Sequence, residues 1–230
     1  MPTSERPRGR PRSWRQRAVR PLQVVVFLLA LIPALKLARG VAIGYLGIDP
    51  VETLAIKTGT AAITLLLCSL AVTPIRRLTG WNELIRFRRL LGLMAFFYAV
   101  LHVATYVVFD QEGSLSLIAA DVWEHPWVLF GMTAFLMLIP LALTSTRGWI
   151  RRLGGKRWNR LHRLVYPAAI FAVLHFLLAV KLDVRKPVLY IVVLAVLLGA
   201  RVVWARQRAA TQAPAGRPGP TPLTAAEPGN

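Results

Sequence analysis

Apolar residues in this chain come in long unbroken runs, separated by short charged segments, and follow neither a helical nor a strand period over most of its length. Six runs approach the roughly 20 residues that a helix needs to cross a bilayer. They are Leu22–Ala38, Leu54–Thr73, Leu90–Phe109, Trp127–Leu143, Leu161–Val180 and Val188–Trp204. The pattern predicts an all-α integral membrane protein, a six-helix bundle. Pro33, Pro140 and Pro167 fall inside runs one, four and five and predict kinks there, because neighbouring helices can satisfy the freed carbonyls. Pro187 stands where the sixth helix would begin, a position that suits proline. The expected organisation is a transmembrane domain over 21–206, a basic tail over 1–20 and a second tail over 207–230. From about residue 209 the chain is rich in Pro, Ala, Gly and Thr, which predicts disorder.

Charge adds an orientation. At 55% hydrophobic residues the chain is too apolar for an ordinary soluble core. Its net charge of +19 falls in blocks between the runs, which argues for topology and against a nucleic-acid surface. The N-terminal tail carries Arg6, Arg8, Arg10, Arg12, Arg15, Arg17 and Arg20. The second-to-third connection has Arg76, Arg77, Arg86, Arg88 and Arg89, and the fourth-to-fifth has Arg147, Arg151, Arg152, Lys156, Arg157 and Arg160. Cytoplasmic loops are the ones enriched in Lys and Arg, so these segments and both termini are expected to be cytoplasmic. Asp49 and Glu52, and then Asp110, Glu112, Asp121 and Glu124, mark the outward connections. The short fifth-to-sixth turn, with Lys181, Arg185 and Lys186, is a local exception. The first run is longer than a signal-peptide core and more spans follow it, so it reads as an uncleaved span. Trp81, Trp123, Trp127, Trp149, Trp158 and Trp204 sit near span ends, where indoles anchor in the headgroup region. Cys68 is the sole cysteine, which excludes an intrachain disulfide and a cysteine metal site.

The candidate chemistry lies in the histidines, because a polar group deep in a membrane helix needs a partner. His102 lies 13 residues past Arg89 and 8 before Asp110; His175 lies 15 past Arg160 and 6 before Lys181. Both fall in the outer half of the membrane at similar depth, on helices running the same way. They can therefore face each other as the two axial ligands of a haem iron. Tyr98, Thr105 and Tyr106 lie within a turn of His102 and are expected partners for its second ring nitrogen. His162 precedes His175 by 13 residues, about 20 Å lower along a helix and about 140° away in direction, with Pro167 between them. A second, inner haem there would have one histidine, because the matching position on the third helix is Arg89. Arg88, Arg89, Arg160 and Arg163 cluster at this entrance and suit haem propionates or a flavin phosphate, or else lipid phosphate. His125, between Glu124 and Pro126, reads as a solvated loop residue.

Two stretches carry a resemblance. Arg89-Leu90-Leu91-Gly92-Leu93 with Tyr98 and His102, and Trp158-Asn159-Arg160-Leu161-His162-Arg163-Leu164-Val165-Tyr166 with His175, resemble the MsrQ (YedZ) haem-binding membrane subunits. These belong to the ferric reductase-like transmembrane superfamily, which includes the NADPH oxidases, and the resemblance covers about Pro21 to Arg206. It implies a bacterial inner-membrane electron carrier with b-type haem and FMN. Such a carrier would take electrons from the quinone pool or a cytosolic flavin reductase and pass them to the periplasmic molybdopterin enzyme MsrP, which repairs methionine sulfoxide. Carried over, the family's haem histidines match His102, His162 and His175; no residue can be assigned to FMN. A stand-alone haem reductase for quinone or ferric iron is the redox alternative, and a transporter or an assembly subunit the non-redox ones. Against a transporter, all ten acidic residues lie in tails, loops or span edges.

Overall fold

The computed structural model describes residues 14–180 and 183–211. Most of the two tails and Lys181 lie outside the described residues, and so do the readings made of them. The described chain forms α1 (Trp14–Ala42), α2 (Pro50–Thr79), α3 (Ile85–Thr105), α4 (Leu115–Glu124), α5 (Pro126–Leu143), α6 (Arg147–Leu161), α7 (Val165–Ala179) and α8 (Arg185–Thr211). Single 3₁₀ turns at Asn82–Leu84 and His162–Leu164 lead into α3 and α7, and a π-helical turn, Tyr106–Asp110, closes α3. Six stretches are long and apolar enough to cross a membrane: Val19–Ala42, Pro50–Thr79, Asn82–Asp110, Pro126–Leu143, Arg147–Ala179 and Arg185–Gln207. The expected all-α six-span bundle is present.

Local chemistry sets the helix ends. Asp49 caps α2 by accepting from the backbone N–H of Glu52, Pro50 occupies its first turn, and Gly80 ends it in the left-handed region at φ 67°. Two helices stand where loops were expected. Ser114 caps α4 and Pro126 starts α5 immediately behind it; Leu115, Leu117 and Trp123 of α4 remain exposed. Thr146 caps α6, a strongly basic helix interrupted at Gly154, whose φ of 71° favours glycine. α4 is a short helix beside a membrane span with apolar side chains on the surface, as interfacial helices have, whereas α6 forms the basic start of the stretch Arg147–Ala179.

The prolines act differently from one another. Pro33 lies within α1 and Pro140 within α5, as expected. Pro167 does not kink a continuous helix: it sits in the first turn of α7, and the break falls upstream in the 3₁₀ turn that holds His162. Proline cannot donate to the carbonyl four residues earlier, here Arg163, so regular helix stops before it and restarts around it.

The core joins α2, α3, α5, α7 and α8 through Leu66, Leu70, Ala95, Leu138, Ala168, Ala169 and Leu194. α2 packs most extensively against α3, and α5 against α7. Alanines at 95, 99, 168 and 169 let backbones approach closely, the usual solution where lipid removes the hydrophobic drive for helix association. α1 attaches to α2 and α3 on the outside of this unit. Its docking point is Tyr98, fully buried, whose hydroxyl donates to the Ala30 carbonyl at 2.6 Å and accepts from Ala34 N–H at 3.0 Å. Those two groups would otherwise bond each other, so Tyr98 is inserted into the ladder of α1 beside Pro33.

Candidate functional site

α3 and α7 bring His102 and His175 together at the end of the bundle that carries the acidic connections. Their ring centroids are 5.9 Å apart with planes at 71°. Nδ1 of His102 lies 2.9 Å from the Ala55 carbonyl of α2, and Nδ1 of His175 lies 2.7 Å from the Trp127 carbonyl of α5. A carbonyl only accepts, so each Nδ1 carries the proton and donates, which leaves both Nε2 atoms with a free lone pair. Four residues beyond each carbonyl stands a glycine, and the ring lies over it. A Cβ at Gly59 would sit 3.1 Å from His102, and one at Gly131 would sit 2.8 Å from His175 Nδ1. The α2–α3 and α5–α7 pairs thus repeat one device: a glycine makes room for the ring, and the carbonyl one turn earlier fixes its tautomer.

Such a pair suits a metal ion between two imidazoles. Neutral imidazole with its second nitrogen held by a carbonyl is the usual state of a ligating histidine, so the chemistry of this donor pair fits a haem iron.

His162 stands apart. It occupies the 3₁₀ turn before α7, stacked on Trp158 with centroids 3.9 Å apart and planes at 29°. Trp158 Nε1 donates to the Thr144 carbonyl at 2.9 Å, which ties α6 to the end of α5. Thr144 Oγ1 donates its hydrogen to the Pro140 carbonyl, so at 3.2 Å it accepts from His162 Nε2. His162 therefore carries its proton on Nε2, the reverse of the other two.

Other expectations need correction. Tyr98, Thr105 and Tyr106 do not orient His102: Tyr98 serves α1, Thr105 bonds the Leu101 carbonyl, and Tyr106 donates to Asp121 at 2.5 Å. The orienting groups are backbone carbonyls, which leave no trace in side-chain identity. His125 does stand in the connection between α4 and α5 with its side chain partly exposed, but it is paired there. Its Nδ1 lies 2.7 Å from Asp121 Oδ1 and its ring 4.4 Å from that of Trp127, the residue whose carbonyl holds His175. Arg89, Arg160 and Arg163 are exposed, whereas Arg88 is half-buried near Tyr166. Arg201 of α8 joins it there, a residue the sequence reading passed over because it lies inside the sixth apolar run.

Residues 58–186 match the family model of the ferric reductase like transmembrane component. The chain is also similar to curated relatives named protein-methionine-sulfoxide reductase heme-binding subunit MsrQ. The protein from Azospira oryzae is 47% identical over 183 residues, covering 79% of this chain and 78% of the relative. That from Xanthomonas axonopodis pv. citri is 50% identical over 179 residues, covering 78% and 81%. That from Rhodospirillum rubrum is 45% identical over 193 residues, covering 84% and 93%. The chain belongs to the MsrQ family. It is accordingly a multi-pass membrane protein with a ferric reductase-like transmembrane component. The matched stretch of this MsrQ chain includes His102, His162 and His175 together with Gly59 and Gly131.

Proposed function

We propose that this chain is the haem-binding, electron-transferring membrane subunit of a methionine sulfoxide reductase system, in which His102 and His175 would hold the iron of a b-type haem. One observation carries the reading: two imidazoles 5.9 Å apart, each with Nδ1 committed to a backbone carbonyl, which leaves its Nε2 lone pair free. When bound, haem b supplies a one-electron relay inside the membrane. The protein's own part is to hold both imidazoles neutral and aligned, to raise their basicity through the carbonyls of Ala55 and Trp127, and to keep water out with apolar helix faces. Methionine sulfoxide reduction itself falls to a periplasmic molybdopterin partner of the MsrP kind, which takes electrons at the acidic end. The donor, the quinone pool or a cytosolic flavin reductase, works at the basic end, and the setting is the bacterial inner membrane.

His162 is the candidate ligand of a second haem at the basic end. It would have to surrender its bond to Thr144 or ligate through Nδ1, and no second histidine faces it among the described residues. Arg89 and Arg163, exposed at that end, are placed to meet carboxylate or phosphate groups entering from the cytoplasm. An FMN is implied by family resemblance alone, and no residue is assigned to it.

Pyridine haemochrome and reduced-minus-oxidised spectra on detergent-purified protein test the reading. At least one b-type haem per chain is expected. Either His102→Ala or His175→Ala should abolish the low-spin spectrum of the outer centre, whereas His162→Ala should leave it. An unchanged spectrum in either of the first two variants overturns the pairing.

A further inference from the structure

A second convergence of polar groups lies toward the basic end, among α2, α3, α7 and α8. Arg201 Nη1 donates to the Tyr166 hydroxyl at 3.0 Å, and its guanidinium carbon lies 5.2 Å from the centre of the same ring. Arg201 Nη2 donates to the Leu70 carbonyl of α2. The half-buried Arg88 guanidinium of α3 stands near the same Tyr166, and the Arg88 carbonyl is held by Ser69 Oγ of α2 at 3.0 Å. Among the described residues no carboxylate lies within ion-pair distance of either guanidinium. The Nε–H of Arg201 is buried without a partner.

The cluster consists of donors. Tyr166 accepts from Arg201, and its own hydroxyl hydrogen points to no protein acceptor among the described residues. Two half-buried cations beside one neutral hydroxyl repel each other, with no carboxylate among the described residues to offset the repulsion. A bundle that needed only packing here would be served by apolar side chains, as elsewhere along α8. Ionisable groups held inside a membrane bundle mark a function by default. The missing element is an acceptor with negative charge, and guanidinium forks with a phenol match the planar or tetrahedral oxygens of a carboxylate or phosphate.

We propose that Arg88, Tyr166 and Arg201 form a binding site for one oxyanion group, a carboxylate or phosphate, borne by a molecule that enters the bundle at its basic end. Three sources share this chemistry: a porphyrin carboxylate, the phosphate of a flavin nucleotide and a lipid phosphate. The site rests on the four-helix geometry. Only the porphyrin arm depends on the haem reading given above.

The test compares charged and uncharged forms of each source on full-length protein in detergent. Haem is set against its dimethyl ester, FMN against riboflavin, and phosphatidic acid against diacylglycerol, with Arg201→Gln, Arg88→Gln and the charge-conserving Arg201→Lys alongside the parent chain. At least one oxyanion form should bind the parent about tenfold more tightly than its uncharged counterpart, the scale of one charge-assisted hydrogen bond. Either glutamine variant should erase that preference, whereas Arg201→Lys should keep part of it. Helical circular dichroism confirms that each variant is folded; where Arg201→Gln is not, Arg88→Gln decides. No preference for any oxyanion form in the parent, or a preference unchanged in a folded glutamine variant, overturns the site. Loss of the haem preference alone, with the other two tested and absent, identifies the carboxylate as the occupant. If the outer low-spin spectrum is itself missing, the haem reading fails, and the FMN and lipid arms still judge the site.

Discussion

At Gly131 a methyl group would stand 2.8 Å from Nδ1 of His175, and at Gly59 another would stand 3.1 Å from His102. Neither ring can yield freely, because each is held by a hydrogen bond to a carbonyl of the same neighbouring helix. Gly131→Ala is therefore expected to displace His175 at a cost of about 1–3 kcal/mol, the usual range for overpacking. It should lower haem retention and distort the low-spin spectrum, with wild-type behaviour as the contrary result. Gly199→Ala is the control: nothing lies within 4 Å of its added carbon, and alanine in a helix gains roughly 0.5–1 kcal/mol over glycine. The histidines were legible in the sequence because depth can be counted from the charged span ends. Their true partners were not, since any residue supplies a carbonyl, and a glycine inside an apolar run looks the same whether it makes room for a ring or for nothing.

Among the elements, α1 shows how a single polar side chain adds to an apolar interface, the one that Val19, Val26 and Ala30 make with α2 and α3. It is held by Tyr98, whose hydroxyl takes over both ends of one helical hydrogen bond. Tyr98→Phe removes the bridge while leaving Ala34 N–H and Ala30 carbonyl free to pair again, so a loss of about 1 kcal/mol is expected in thermal melting in detergent. Pro33→Ala should lower the melting temperature less, because the hydroxyl keeps the ladder open. Equal effects of the two changes would show that the proline, not the tyrosine, sets the geometry. The six spans were readable from run length alone. α4 and α6 were not, because ten residues between two outward acidic stretches and a basic segment with adjacent glycines both resemble loops. Their cues were the caps, Ser114 and Thr146, which mean little without knowing that a helix follows. The break at His162 was anticipated only as a kink at Pro167, since proline's effect falls on the turn before it.

For the whole molecule, charge separates the two ends: the connections near α6 and at the start of α3 are arginine-rich, while Asp49, Glu52, Glu112, Asp121 and Glu124 gather at the other end. Six crossings place the starts and finishes of the bundle on one side. A reporter active only outside the cytoplasm should be silent when fused after Thr211 and active when inserted at Glu112, as Lys and Arg placement directs. The reverse pattern would invert the proposed direction of electron flow. The tyrosine that opens α1 also bears on how this chain is made. Synthesis delivers the amino-terminal span to the membrane first, while Tyr98 is still to be translated. Until α3 arrives, Ala34 N–H has only Ala30 carbonyl to pair with, because lipid offers no other partner. Docking must then break a hydrogen bond that already exists and insert a hydroxyl into it, so the amino-terminal helix waits in a closed form and is completed only by a later part of its own chain.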